Sequence, residues 1–301
     1  MARHHEPREE RVSEDLRSRR DREAAQCDDP LAVFTRDLDL PRDANRERVE
    51  AYSLRRSEAR ILASVAVFRA IPREDLEEVA DSSRRSLTKD VEHLRSLGLL
   101  ESRRYVTGRD RCQILTLTDR GRLFMEGRQL DDGRPARQTY RGRTKDRELA
   151  HDSRLFRAYL DAADRIVNDG GRITRVRLDD DLKRDYQIFL QEPNRRRRDS
   201  SGQPRRDWEA IARWANEQDL PIVDDSVKFP DLRIEYERPD GARCFEDVEV
   251  LTPHYRGAHL SSKKAAGFSC YRYGSARIGG ARTSNRGGRG RDSRLAEEML
   301  K

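Results

Sequence analysis

Asp231, Asp247 and Glu249 are the residues whose types and spacing best support chemistry. They fall in two alternating runs, FPDLRIEYE and CFEDVEVL, separated by Pro239-Asp240-Gly241. In the first run Leu232, Ile234 and Tyr236 alternate with Asp231, Arg233 and Glu235; in the second, Val248 and Val250 alternate with Asp247 and Glu249. A period of two marks a strand with one buried face, and a Pro-Asp-Gly loop of about three residues makes the pair a β-hairpin. That register puts Leu232 opposite Val248, and Asp231 across from Glu249 with Asp247 beside it. Three carboxylates on one face repel one another unless a cation neutralises them. A hard divalent ion such as Mg²⁺ or Mn²⁺ takes oxygen ligands and keeps several waters. It would activate water and stabilise charge on a scissile phosphate. Lys263 and Lys264, just beyond the second run, could add positive charge to that transition state.

The pattern resembles the PD-(D/E)xK nuclease superfamily, with Pro230-Asp231 as its PD and the Asp247-Val248-Glu249-Val250-Leu251 run as its second half. The position two after Glu249 is Leu251 rather than Lys. Either Glu249 stands in the lysine position, or Lys263 or Lys264 reaches in from a following helix. The plain alternative is a hairpin with solvated acidic faces.

Charge is abundant, with 63 Lys+Arg against 56 Asp+Glu and 40% charged residues, so patterns decide more than single residues do. The basic residues are mostly arginine, whose fork suits phosphate. A net charge of +7 and a pI near 9.4 favour a polyanion, and nucleic acid is the expected partner. A hydrophobic fraction of 35% over 301 residues allows two modest cores. No apolar run approaches the roughly 18 residues of a membrane span, and MARHHEPREERVSEDLRSRR lacks a signal-peptide centre. No membrane partner and a cytoplasmic location are expected. Cys27, Cys112, Cys244 and Cys270 show neither metal-ligand nor disulfide spacing.

Residues 1–50 read as a flexible charged arm with short apolar islands such as Leu31-Ala32-Val33-Phe34. From 51 to 127 the periodicity predicts helices around Ile61–Phe68, Leu76–Val79 and Leu87–Leu94, the last begun by Ser82 or Ser83 and ended by Gly98. Two strands, ESRRYV and CQILTLT, and a closing helix from Thr118 follow. This order is that of a winged helix-turn-helix. With Leu87 and Val91 inward, Arg85 and Lys89 face outward, and Arg84 and Thr88 lie near the leading end, where they could enter a major groove. Arg109 and Arg111 at the wing tip could meet phosphate. Winged helices also serve as protein-interaction modules.

Residues 128–147, GRQLDDGRPARQTYRGRTKD, read as a linker. From 148 to 278 a helix, ELAHDSRLFRAYLDAADRIV, precedes a strand at Ile173–Leu178 and the acidic hairpin, the order of a restriction-endonuclease-like α/β domain. His151 lies at the start of that helix, where it is either a catalytic contact or a structural histidine. The fold class expected is α/β and multi-domain. The winged helix ending LTLTDRGRLF, the ELAHDSRLFRAYL helix, FPDLRIEY, EDVEVLT and a KKAAGFSCYRY helix together resemble the replication-relaxation family, which includes MOBC-class relaxases. The resemblance covers about residues 52–275. It implies a DNA-binding nickase at a plasmid or integrative-element origin, with Asp231, Asp247 and Glu249 as metal acids and Lys263 or Lys264 as basic partner. It also implies double-stranded and locally single-stranded DNA, and other conjugation or replication proteins, as partners. The alternative is a non-enzymatic DNA-binding regulator with an inactive nuclease-like domain. The histidines form no His-x-His cluster of the kind used by tyrosine relaxases. In the arginine-rich stretch 191–208 and the helix after it, Trp208 and Trp214 either stack on exposed bases or pack against the domain. The Gly/Arg tail, 279–301, is expected to bind phosphate unspecifically.

Overall fold

The computed structural model describes residues 29–41, 47–49, 51–79, 84–107, 110–130, 139, 146–194, 206–251, 261, 263 and 265–272. The first elements are a short helix α1 (Ala32–Thr35) and a small hairpin of β1 (Glu47–Val49) and β2 (Tyr52–Leu54). A helical unit follows: α2 (Arg56–Phe68), β3 (Ile71–Pro72), α3 (Arg73–Val79), α4 (Arg84–Ser96), β4 (Leu100–Thr107), β5 (Asp110–Leu117) and α5 (Asp119–Glu126). Its sheet has the order β3-β5-β4, antiparallel throughout. Helix α4 buries Leu87, Val91 and Leu94 and ends at Gly98, whose φ of 69° glycine adopts without strain. Helix α5 starts because the Thr118 hydroxyl accepts from Gly121 N at 3.0 Å. Gly121 itself is required by packing, since a Cβ there would stand 2.0 Å from Leu99 O.

The second half comprises α6 (Asp146–Asn168), β6 (Arg172–Leu178), α7 (Asp179–Gln191), α8 (Trp208–Glu217), the short strands β7 (Ile222–Val223) and β8 (Ser226–Val227), then β9 (Leu232–Glu237), β10 (Arg243–Leu251) and β11 (Ser269–Arg272). Its main sheet runs β11-β10-β9-β6. Strands β6, β9 and β10 are antiparallel neighbours, and β11 returns parallel to β10. Leu232, Ile234, Val248 and Val250, all fully buried, belong with Leu155, Phe156 and Ile166 of α6 to one core, which fixes which strand face the helix covers. The acidic positions are thereby forced to the other face.

Three expectations are corrected. Residues 29–41, expected within a flexible arm, are packed: Leu31, Val33, Phe34, Leu38 and Leu40 are buried. Phe34 sits edge-on to Phe68 at 5.5 Å and to Tyr159 at 5.1 Å. The apolar island was too short to show a period, but one aromatic ring filling a gap between two helices suffices to anchor it. Second, the two halves do not have separate cores. Phe68 of α2 packs on Phe156 of α6 at 5.1 Å, and one continuous buried cluster runs from Leu31 to Tyr271. Third, KKAAGFSCYRY is not helical to its end. Gly267, at φ 79°, precedes the strand Ser269–Arg272, in which Tyr271 is fully buried. The capping serines Ser82 and Ser83 lie outside the described residues, as do the tail and most of the expected linker and arm. Among the described residues no helix is long and apolar enough to cross a membrane.

Candidate active site

The hairpin places the acids. Val248 pairs with Leu232 and Asp247 with Arg233, and the tip closes through Arg238 N to Ala242 O at 2.9 Å, leaving Pro239, Asp240 and Gly241 as the turn. Asp231 lies at the entry of β9, where its Oδ2 accepts from Val250 N at 2.8 Å, one residue past Glu249. Asp231 is thus tied to the main chain of β10 beside Glu249.

Asp247 does not join them as an available ligand. Both of its oxygens are held by Arg233, Oδ1 by Nε at 2.7 Å and Oδ2 by Nη2 at 2.8 Å. Arg233 also donates to Gln218 O and Asp219 O at the end of α8. Burial pushes the Asp247 carboxyl above its ordinary value, against the opposing effect of Arg233. The pair is a buried ion pair that fastens α8 to the sheet. The strand pattern put an arginine opposite Asp247, but alternation alone does not say that the two bond.

Lys263 meets Glu249 from outside the strand. Its Nζ donates to Glu249 Oε2 at 2.9 Å and to Phe229 O at 2.7 Å, and Glu249 is fully buried. Leu251, at 1% exposure, is spent on packing. Lys264 lies outside the described residues.

His151, near the start of α6, is in contact with the acidic centre. Its Nε2 is 3.1 Å from Asp231 Oδ2 and its Nδ1 is 3.5 Å from Asp152 Oδ1. Burial favours the neutral ring, but the hydrogen bonds to Asp152 and Asp231 outweigh it and push the pKa up to about 10. The ring is thus an imidazolium between two carboxylates at neutral pH. Arg69, at the end of α2, was missed in the sequence. It forms an ion pair with Asp180 and lies 3.9 Å from both Asp152 and Asp179.

Among the described residues no group of three or more His, Cys, Asp and Glu is arranged to hold a metal ion. Mg²⁺ is commonly bound by one or two carboxylates with waters and substrate phosphate completing the shell; here Asp231 Oδ2 faces Val250 N and His151, and Glu249 is buried against Lys263.

On the helical unit Arg84, Arg85 and Lys89 are exposed on α4 and Arg111 is exposed on β5. Arg84 Nε is 2.8 Å from Glu77 Oε2. Thr88 turns inward: its hydroxyl donates to Arg84 O at 2.8 Å and accepts from Arg73. Arg109 lies outside the described residues. Trp214 packs within the protein, stacked on Phe189 at 5.2 Å, whereas Trp208 is 43% exposed.

No protein-family model matches the chain, and neither a curated protein nor a solved structure is significantly similar to it.

Proposed function

We propose that the chain is a DNA-binding, divalent-metal-dependent phosphodiesterase that nicks one strand of a duplex, with the helical unit reading DNA and the acidic hairpin cutting it. The carrying observation is that Lys263 bonds Glu249 while the Asp231 carboxylate bonds the main chain of the next residue, Val250, so that two acids and one ammonium are brought to the same end of β10. Asp231 and Glu249 would hold Mg²⁺ or Mn²⁺, which when bound polarises the phosphate and activates a water. Lys263 places positive charge where the attacked phosphate gains negative charge. His151 orients Asp231.

The order of α6, three antiparallel strands and a parallel return strand agrees with a restriction-endonuclease-like core. The order of α2, α3, α4 and the β4/β5 hairpin agrees with a winged helix-turn-helix, with Arg85 and Lys89 on the outward face of α4. On this reading the chain acts at a plasmid or integrative-element origin. A second reading, a non-enzymatic DNA-binding regulator, draws support from the capture of Asp247 by Arg233. Incubating the full chain with supercoiled plasmid carrying its flanking intergenic DNA separates the two. Open circles formed only with Mg²⁺ or Mn²⁺ support the nickase, and retarded but intact plasmid supports the regulator.

A further inference from the structure

Arg69 has an unusual backbone for a non-glycine residue. Its φ is 64° and its ψ −51°, and Ala70 N donates to Phe68 O across it at 2.6 Å, which makes a γ-turn of the rare, positive-φ kind. Glycine adopts such a conformation without the clash that a Cβ causes. A strained position that nonetheless carries a long side chain directs attention to what the side chain does.

The guanidinium reaches across from the helical unit to three carboxylates of the other half. It pairs with Asp180 and lies 3.9 Å from Asp179 and from Asp152. Two of these lead to Asp231. Asp152, 4% exposed, faces His151 Nδ1 through its other oxygen, and His151 Nε2 meets the Asp231 carboxylate. Asp179 N donates to Asp231 O at 3.1 Å, which ties the start of α7 to the start of β9. The side-chain route and the main-chain route to Asp231 thus end at carboxylates facing the same guanidinium.

We infer that Arg69 is a positioning residue of the acidic centre: delivered by the strained turn that ends α2, it holds Asp152 and Asp179 so that His151 and the β9 entry fix the Asp231 carboxylate. The inference rests on the proposed nuclease reading for its catalytic consequence, but its structural consequence stands apart from that reading. A planar fork can face three carboxylates at once, and an ammonium acts as a point charge.

The test compares full-length wild type, R69G and R69K. R69G removes the guanidinium while relieving the turn, so its melting temperature should stay within a few degrees of wild type. In ¹⁵N-histidine-labelled protein the His151 Nε2–H signal, assigned with H151N, should shift or broaden in R69G and move less in R69K. Mg²⁺-dependent nicking should fall about 10–100-fold in R69G, the usual loss when a group supporting a metal ligand is removed, and R69K should recover part of it. An unchanged His151 signal in folded R69G overturns the inference, as does unfolding of both variants, which would assign Arg69 to the fold alone. If wild type cuts no DNA, the nuclease reading fails, and the His151 signal still decides the role of Arg69.

Discussion

Lys263 Nζ lies 2.9 Å from Glu249 Oε2 although the two residues are 14 positions apart and the strand carries Leu251 two places after Glu249. The ammonium arrives on a separate helical turn, and the strand position is freed for the core. Chemistry depends on where the charge ends, so a side chain delivered from another element can serve the same centre.

Removing that ammonium strips a cation from a fully buried carboxylate. K263A should therefore lose about 3–5 kcal/mol of stability, the usual cost of breaking a buried pair from one side. It should also lose about 10²–10³ in cleavage rate. Adding E249Q should restore most of the stability and none of the cleavage, as read by urea denaturation and plasmid nicking on the same preparations. A double variant that cuts as wild type does would remove both residues from the centre.

Asp247 and Asp231 should behave oppositely. D247N leaves Arg233 its carbonyl partners Gln218 and Asp219 and takes nothing from the metal acids, so nicking should stay within a few-fold of wild type. R233A leaves the buried Asp247 without its cation and should cost about 3–5 kcal/mol. Loss of nicking in stable D247N would return Asp247 to the metal site.

Much of this was legible from residue order. Alternation located both strands of the hairpin, and the Val248–Leu232 pairing follows from it because a one-residue slip would turn Leu232 and Val248 to opposite faces of the sheet. The inward face of α4 was equally plain from Leu87, Val91 and Leu94. What escaped depends on partners distant in sequence. Arg233 capturing Asp247, Phe34 filling the space beside Phe68 and Tyr159, and Arg69 reaching Asp152 are all side-chain meetings that no local period encodes. Strand β11 was hidden because four residues are too few to show alternation after a helical turn.

His151 gives a pH signature. Its pKa in the folded chain is raised from 6.5 to about 10, so protonation favours folding. That contribution is fully present below about pH 6.5 and is lost as pH rises toward 10. In metal-free buffer, wild type should exceed H151Q in stability at about pH 6 and lose that margin by about pH 10, measured by denaturant titration. A margin that does not change with pH would show that folding leaves the ring's pKa unshifted, and one that grows with pH would show the ring to be held neutral in the fold.

Arg85 tests recognition. It is exposed on α4, on the face opposite Leu87 and Val91. R85A should cost about 1–3 kcal/mol in specific binding and relax preference at one base position, if the guanidinium makes a bidentate guanine contact. Binding-site selection with both proteins checks this. A uniform loss across sequences would make Arg85 a phosphate contact.

The central claim is that Asp231 and Glu249 hold the ion that cuts DNA, and plasmid nicking by D231N and E249Q in Mg²⁺ or Mn²⁺, with DNA affinity measured alongside, tests it most directly. Both variants should bind DNA nearly as wild type does, because phosphate contacts supply most of the affinity, and both should fail to nick. Nicking by both at the wild-type rate, or undiminished nicking by wild type in EDTA, would contradict it.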